Sequence, residues 1–126
     1  GKAGLKPGDI ARVALYAPDS GAFRGQTKAL GVRPEAFAAD SLLDAVGNTG
    51  SAAAFLSLAQ ALESAQPGER IVLLGFGNGA DAFLLTATDA IARARDGGGV
   101  AAQVANKRML DTYGKYLKFR GFVQTR

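Results

Sequence analysis

The chain contains no cysteine and no histidine. Disulfides, zinc-thiolate centres, Cys-His nucleophile pairs and Ser-His-Asp triads are therefore excluded within these residues, and any chemistry must come from carboxylates, amides, hydroxyls, Lys or Arg. Long hydrophobic runs are also missing. Nothing approaches the roughly eighteen apolar residues of a membrane span, and the first residues do not form an apolar segment of signal-peptide type, so a soluble, cytoplasmic protein with no membrane partner is expected. Acidic residues are scarce at one end: residues 107–126 hold Lys107, Arg108, Lys115, Lys118, Arg120 and Arg126 against Asp111 alone, in a chain whose net charge is +4. That end carries +5, and the rest sums to −1. Such a stretch is more often a solvated helix face or a docking surface for an acidic partner than a nucleic-acid contact, and no nucleic acid is expected.

What is present suffices for one core, since 48% of the 126 residues are hydrophobic and the length is that of a single domain. "KPGD" (6–9) reads as a turn and "IARVALYA" (10–17) as a buried strand broken by "PDSG" (18–21). "AFRGQTKALGV" (22–32) has helical spacing, with Gly31 as its stop. "RPEAFAADSLLDAV" (33–46) predicts a helical turn at Pro34 and then a short extended piece entering Gly47. From about Gly50 to Gln66 the apolar residues cover every face of a helix, and a helix apolar all round is buried all round. "RIVLLGFG" (70–77) reads as a central strand, "NG" (78–79) as a tight turn and "ADAFLLTATDAI" (80–91) as a returning strand. "RDGGGVA" (95–101) reads as a flexible linker and 105–119 as a last helix. The order predicts an α/β fold, a mixed sheet covered by helices with one buried central helix. The expected division is a domain over 1–95 and a glycine linker with a basic tail over 96–126.

Three features can carry chemistry. Asn48, between Gly47 and Gly50, is either an N-cap for the buried helix or a polar group placed at its mouth for another purpose. "GFGNGA" (75–80) lacks the spacing of a dinucleotide fingerprint and has no following helix, so on its own it is a hairpin turn. "LYAPDSG" (15–21) puts Tyr16 and Asp19 at a strand's end, where α/β folds place ligands, although "PDSG" is also an ordinary turn.

Taken in order, "LYAPDSG", "KALGV" and "VGNTGSAAAFLSLAQALESAQPGERIVLLGFGNGADAFLL" resemble the C-terminal half of the thiolase superfamily, in the branch of ketoacyl synthase III and 3-hydroxy-3-methylglutaryl-CoA synthase. The resemblance covers residues 3 to about 90 and implies a thiolase-like half whose apolar helix is sandwiched by two sheets. It implies a C-terminal piece, or one chain of a split enzyme, of a Claisen-condensing acyltransferase of lipid metabolism. Such an enzyme acts on a coenzyme A thioester, or an acyl carrier protein, as substrate, with no bound cofactor and no metal. In these enzymes a cysteine of the N-terminal half carries the acyl group. An asparagine at the position of Asn48, with a histidine, stabilises the enolate of the second thioester. The glycine turn gives a backbone N–H, here that of Asn78 between Gly77 and Gly79, to the acyl intermediate. Thr49 and Asp19 fall beside the substrate.

The chain departs from the pattern where the family's His-x-Pro becomes Tyr16-Ala17-Pro18. A phenol donates a hydrogen bond but is not a base at neutral pH. The implied partners are an N-terminal thiolase-like half or a full-length homodimer mate. The ending "YGKYLKFRGFV" (113–123) is similar to the ends of synthase-like proteins that work with a zinc-ribbon/OB-fold acyl-CoA-binding protein. Two functions follow: a catalytic half-domain, or a noncatalytic acyl-CoA-binding or assembly subunit. A phosphate-binding regulatory domain is a distant third.

Overall fold

The computed structural model describes residues 4–37, 41–95 and 98–123. Pro7 opens a short 3-10 turn that leads into strand β1 (Arg12–Leu15). Helix α1 (Ser20–Leu30) starts where the Asp19 carboxylate accepts the Ala22 N–H at 2.8 Å, and stops at Gly31. A 3-10 turn at Pro34–Ala36 and helix α2 (Ser41–Val46) come next, then helix α3 (Ala52–Glu63), strand β2 (Arg70–Phe76) and strand β3 (Ala80–Thr86). Helices α4 (Ile91–Ala94), α5 (Gly99–Ala105) and α6 (Tyr113–Phe119) complete the order.

The sheet is mixed, in the order β1-β2-β3. β1 runs parallel to β2 with Leu15 opposite Leu74, and β2 forms a hairpin with β3, Phe76 opposite Ala80. Side chains alternate across a strand, and this sorts the core. Val13 and Leu15 of β1, with Val72 and Leu74 of β2, pack with Phe23 and Leu30 of α1. Ala14 and Leu73 pack with Ala54 of α3, and Tyr16 and Leu58 join that cluster. Ile71 meets Ala65 just beyond the end of α3. Helices thus cover both faces of the sheet, the α/β architecture read from the sequence.

Several elements differ from the sequence reading. The extended piece expected before Gly47 is helix α2. Leu42 and Val46, one helical turn apart, line one cavity, so the apolar spacing there has the helical period. Among the described residues of this region, extended pairing is a bridge from Phe37 to Val13. The returning strand ends at Thr86, after which the Ala87 N–H turns back to the Glu69 carbonyl at 2.9 Å. Burial of α3 falls on one side: Ala54, Ser57 and Ala61 are buried, whereas Phe55 is 66% exposed. The stretch read as a linker contains the start of α5. Gly99 has φ 63°, a Cβ there would lie 2.5 Å from Glu63 Oε1, and the next amide, Val100 N–H, donates to that carboxylate. Of the helix expected over 105–119, Ala105 ends α5 and Tyr113–Phe119 form α6, whose first turn the Thr112 side chain caps by accepting from the Lys115 N–H.

One polar cluster ties the sheet to the end of α3. Arg12 donates through Nε to Glu69 Oε2, and through its other nitrogens to the Ser64 hydroxyl and carbonyl, each at 2.8 Å. Burial alone would raise the Glu69 carboxyl. The hydrogen bonds from Arg12 and the Gln66 amide, with the positive charges of Arg12 and Arg33, outweigh it and hold the group below its ordinary 4.5. A carboxylate depressed on folding contributes stability that is full above its unfolded value and is lost as pH falls through the lower folded value. Glu69→Gln is therefore expected to be less stable than the wild type at neutral pH. The gap should close as pH falls below 4.5, in urea unfolding followed down to about pH 3.

Candidate functional site

The strand register brings the marked segments to one end of the sheet. Tyr16 N–H bonds to the Leu74 carbonyl at 3.3 Å, so the segment after β1 runs beside the last residues of β2. Adjacent strands lie about 4.8 Å apart. The turn Gly77–Gly79 therefore sits at the same sheet end as Tyr16–Asp19. Because Tyr16 follows Leu15 in the alternation, its ring belongs to the α3 side, and the loop before α3 arrives there.

Asn48 joins the two segments. Its Nδ2 donates to the Pro18 carbonyl at 3.2 Å and lies 3.5 Å from the Tyr16 hydroxyl, the long limit of a hydrogen bond, while its Oδ1 accepts the Gly50 N–H at 2.8 Å. The amide is thus not the N-cap of α3. That position is Ser51, without a side-chain cap bond, and Asn48 instead closes an Asx turn two residues long. The flanking Gly47 and Gly50 have φ 80° and 61°, a left-handed conformation that other residues resist. They bend the loop so that Asn48 faces β1.

The β2–β3 turn is built differently. It is closed by the Gly77 N–H donating to the Gly79 carbonyl at 2.8 Å. Neither Gly77 nor Gly79 has a positive φ, and a Cβ at either would meet nothing within 4 Å. The turn itself does not require glycine at either position. What they leave is open space beside the exposed Asn78.

The remaining residues divide. Asp19 is the N-cap of α1, its carboxylate engaged by Ala22. Thr49 is half-buried and lines a small cavity of about 40 Å³ with Leu15, Phe23 and Leu56, which Tyr16 does not line. The Pro18 carbonyl was not foreseen. Its only sequence signal is the proline that ends β1, since a carbonyl acceptor has no residue-type signature. Also unforeseen was a cavity of about 950 Å³ on the side of α3 turned from the sheet, lined by Leu42, Val46, Leu56, Leu62, Ile91 and Val104 with Glu63 and Arg95 at its edge. Among the described residues no group of acidic side chains could hold a metal ion, and no helix is long and apolar enough to cross a membrane.

The family model of the 3-oxoacyl-[acyl-carrier-protein] synthase III C terminal matches residues 1–86, which include Tyr16, Asn48 and the glycine turn. The chain belongs to this family. Hydroxymethylglutaryl-CoA synthases are similar over nearly all of it. That of Methanopyrus kandleri is 32% identical over 118 residues, 92% of this chain and 34% of the relative. That of Methanothermobacter thermautotrophicus is 35% identical over 123 residues, 95% and 35%, and that of Aeropyrum pernix is 35% identical over 122 residues, 95% and 34%. The chain spans about a third of the length of these curated relatives. What it matches in that family is the C-terminal part of the synthase.

The tether predicts how Asn48 substitutions behave. Asn48→Asp keeps the acceptor for Gly50 but sets a carboxylate oxygen against the Pro18 carbonyl, so it should lose about 1 kcal/mol, whereas a simple cap would tolerate Asp. Urea unfolding of the chain measures this. An Asp variant as stable as wild type would mean that the bonds to Pro18 and Tyr16 are not made in solution.

Proposed function

We propose that this chain supplies the oxyanion-stabilising edge of an acyl-CoA or acyl-carrier-protein acyltransferase of the condensing type, complementing a cysteine carried by an N-terminal thiolase-like half. The observation that carries the reading is the meeting of Asn48 and Tyr16, 32 residues apart, beside the turn that holds Asn78. Asn48 would present its amide to the enolate of a coenzyme A thioester. The Asn78 N–H would face the acyl carbonyl, with Gly77 and Gly79 leaving the room a thioester needs to approach the backbone. A pre-aimed donor stabilises developing charge without reorganising as the reaction proceeds. No cofactor enters the scheme. The partner half would cover the exposed side of α3, where Phe55 and the apolar cavity lie.

Tyr16 shapes the chemistry. With a hydroxyl where the family has a histidine, Tyr16 offers this edge a hydrogen-bonding phenol in place of an imidazole. The enolate would then form either by proton transfer to a group elsewhere or, from a carboxylated donor, by breaking the bond to the carboxylate and releasing carbon dioxide. One observation favours a second reading, a noncatalytic acyl-CoA-binding or assembly subunit: the Asn48 amide already donates to Pro18 and points toward Tyr16. For catalysis the incoming thioester must displace one of these contacts.

The 126-residue chain has no cysteine, so alone it should turn over no acyl-CoA. In an enzyme that contains the complementary half, Asn48→Ala should lower turnover about 10²-fold or more. Gly77→Ala should leave thermal unfolding unchanged and lower turnover about ten-fold. Steady-state kinetics with acyl-CoA alongside calorimetry separates the readings. Acyl-CoA binding that persists while turnover ignores both substitutions would favour the noncatalytic one.

A further inference from the structure

We propose that Asp19 is a positioning residue for Asn48: by fixing the Pro18 carbonyl it aims the Asn48 amide, so that the Nδ2 hydrogen on the Tyr16 side is the one an acyl thioester takes up. This role rests on the acyltransferase reading above and deepens it. Every link in it is a bond made within the chain.

The Asn48 amide has one orientation that satisfies its partners. Its Oδ1 accepts the Gly50 N–H at 2.8 Å, and its Nδ2 donates to the Pro18 carbonyl at 3.2 Å. An N–H needs an acceptor and a carbonyl needs a donor, so exchanging the two ends of the amide would break both bonds. Because the group is planar, holding Oδ1 and one Nδ2 hydrogen also sets the direction of the second hydrogen. That one is left for the Tyr16 hydroxyl, 3.5 Å from Nδ2. At this distance the contact is the weaker of the two. It yields to an incoming oxygen, while the Pro18 contact stays and keeps the aim.

The Pro18 carbonyl is itself held from both sides. Before it, Ala17 is buried in the cluster of Val13 and Leu15, and the proline ring fixes one of the rotations of residue 18. After it, the rotation at Asp19 is set by the cap, with φ −156°: the carboxylate accepts the Ala22 N–H at 2.8 Å and the Asp19 carbonyl accepts the Phe23 N–H at 3.0 Å. Helix α1 is seated in turn on the core through Phe23 and Leu30. Gly21 belongs to the same arrangement. A Cβ there would come within 3.1 Å of Asp19 Oδ1, tighter than an ordinary contact, so a poor helix former in the first turn leaves the carboxylate its place. From the cap of α1 to the Asn48 amide the path is one peptide group long.

Four variants separate this role from its alternatives. Asp19→Ala removes the cap, Asp19→Ser removes the carboxylate but keeps a capping oxygen, and Gly21→Ala crowds the carboxylate in place. Thr112→Ala removes the cap of another helix, α6. In the full 126-residue chain the Asn48 side-chain amide signals, identified by their loss in Asn48→Asp, are followed by NMR. Asp19→Ala should shift them and speed their exchange with solvent about five-fold or more. Gly21→Ala should move them in the same sense, Asp19→Ser should restore them, and Thr112→Ala should leave them alone. In an enzyme containing the complementary half, Asp19→Ala should lower kcat about ten-fold with KM little changed, and Asp19→Ser should recover most of the loss. Asn48 signals that ignore both Asp19→Ala and Gly21→Ala overturn the role. So does a rise in KM, or a fall in kcat, that serine does not rescue, since the carboxylate would then touch the substrate itself. If the signals move as expected while Asn48→Ala keeps full turnover, the link from Asp19 to Asn48 stands and the acyltransferase reading fails.

Discussion

The close seat of α3 on β1 is the constraint from which the rest of the site follows. It is made of small residues: Ala14 of β1 is fully buried beneath Ala54 of α3, and Ala61 and Ala65 continue the run of buried alanines toward the C-terminal end of the helix. Where these alanines meet, helix and strand lie close, and the Asn48 loop entering α3 reaches Tyr16. The Asn48 amide can then span to Pro18 with a single hydrogen bond. At the other end the Arg12 cluster with Glu69 and Ser64 fixes where α3 gives way to β2. A larger residue at position 14 or 54 would lift the helix, at a cost of about 1–3 kcal/mol for overpacking, and would separate Asn48 from Tyr16.

Much of this was legible because strands and glycine turns advertise themselves locally. The mostly apolar run "IARVALYA" announced a buried strand, and "NG" after "RIVLLGFG" announced the hairpin. The pairing of β1 with β2 follows from two apolar runs separated by a long helical crossover. What sequence reasoning missed depends on context. "SLLDAV" has the residues of a strand or a helix, and the sharing of one cavity by Leu42 and Val46 decides it. The apolar circumference of α3 predicts burial on all sides, but burial depends on what lies opposite. In the described residues the sheet covers one side, while Phe55 faces outward.

The residues marked from the sequence could be located in the fold, but their wiring was not legible. Asn48, Tyr16 and the glycine turn were marked from the sequence, and the fold brings them to one end of the sheet. That Asn48 would bind a carbonyl of the proline segment instead of capping α3 could not be read, because the choice rests on the height of the loop above β1. Likewise, Gly77 and Gly79 proved to be places of open space rather than of backbone strain. Glycines demanded by conformation flank Asn48, whereas glycines leaving room for something else flank Asn78. That contrast supports reading the turn as a surface to be approached.

The central claim is that Asn48 and Tyr16 act together on a thioester at this edge. A double-mutant cycle of Tyr16→Phe and Asn48→Ala, read as kcat/KM for acyl-CoA in an enzyme containing the complementary half, tests it most directly. The account predicts a coupling of about 1 kcal/mol or more, the double variant being little worse than Asn48→Ala alone. Independent effects that simply add, or no effect from either change, would contradict it.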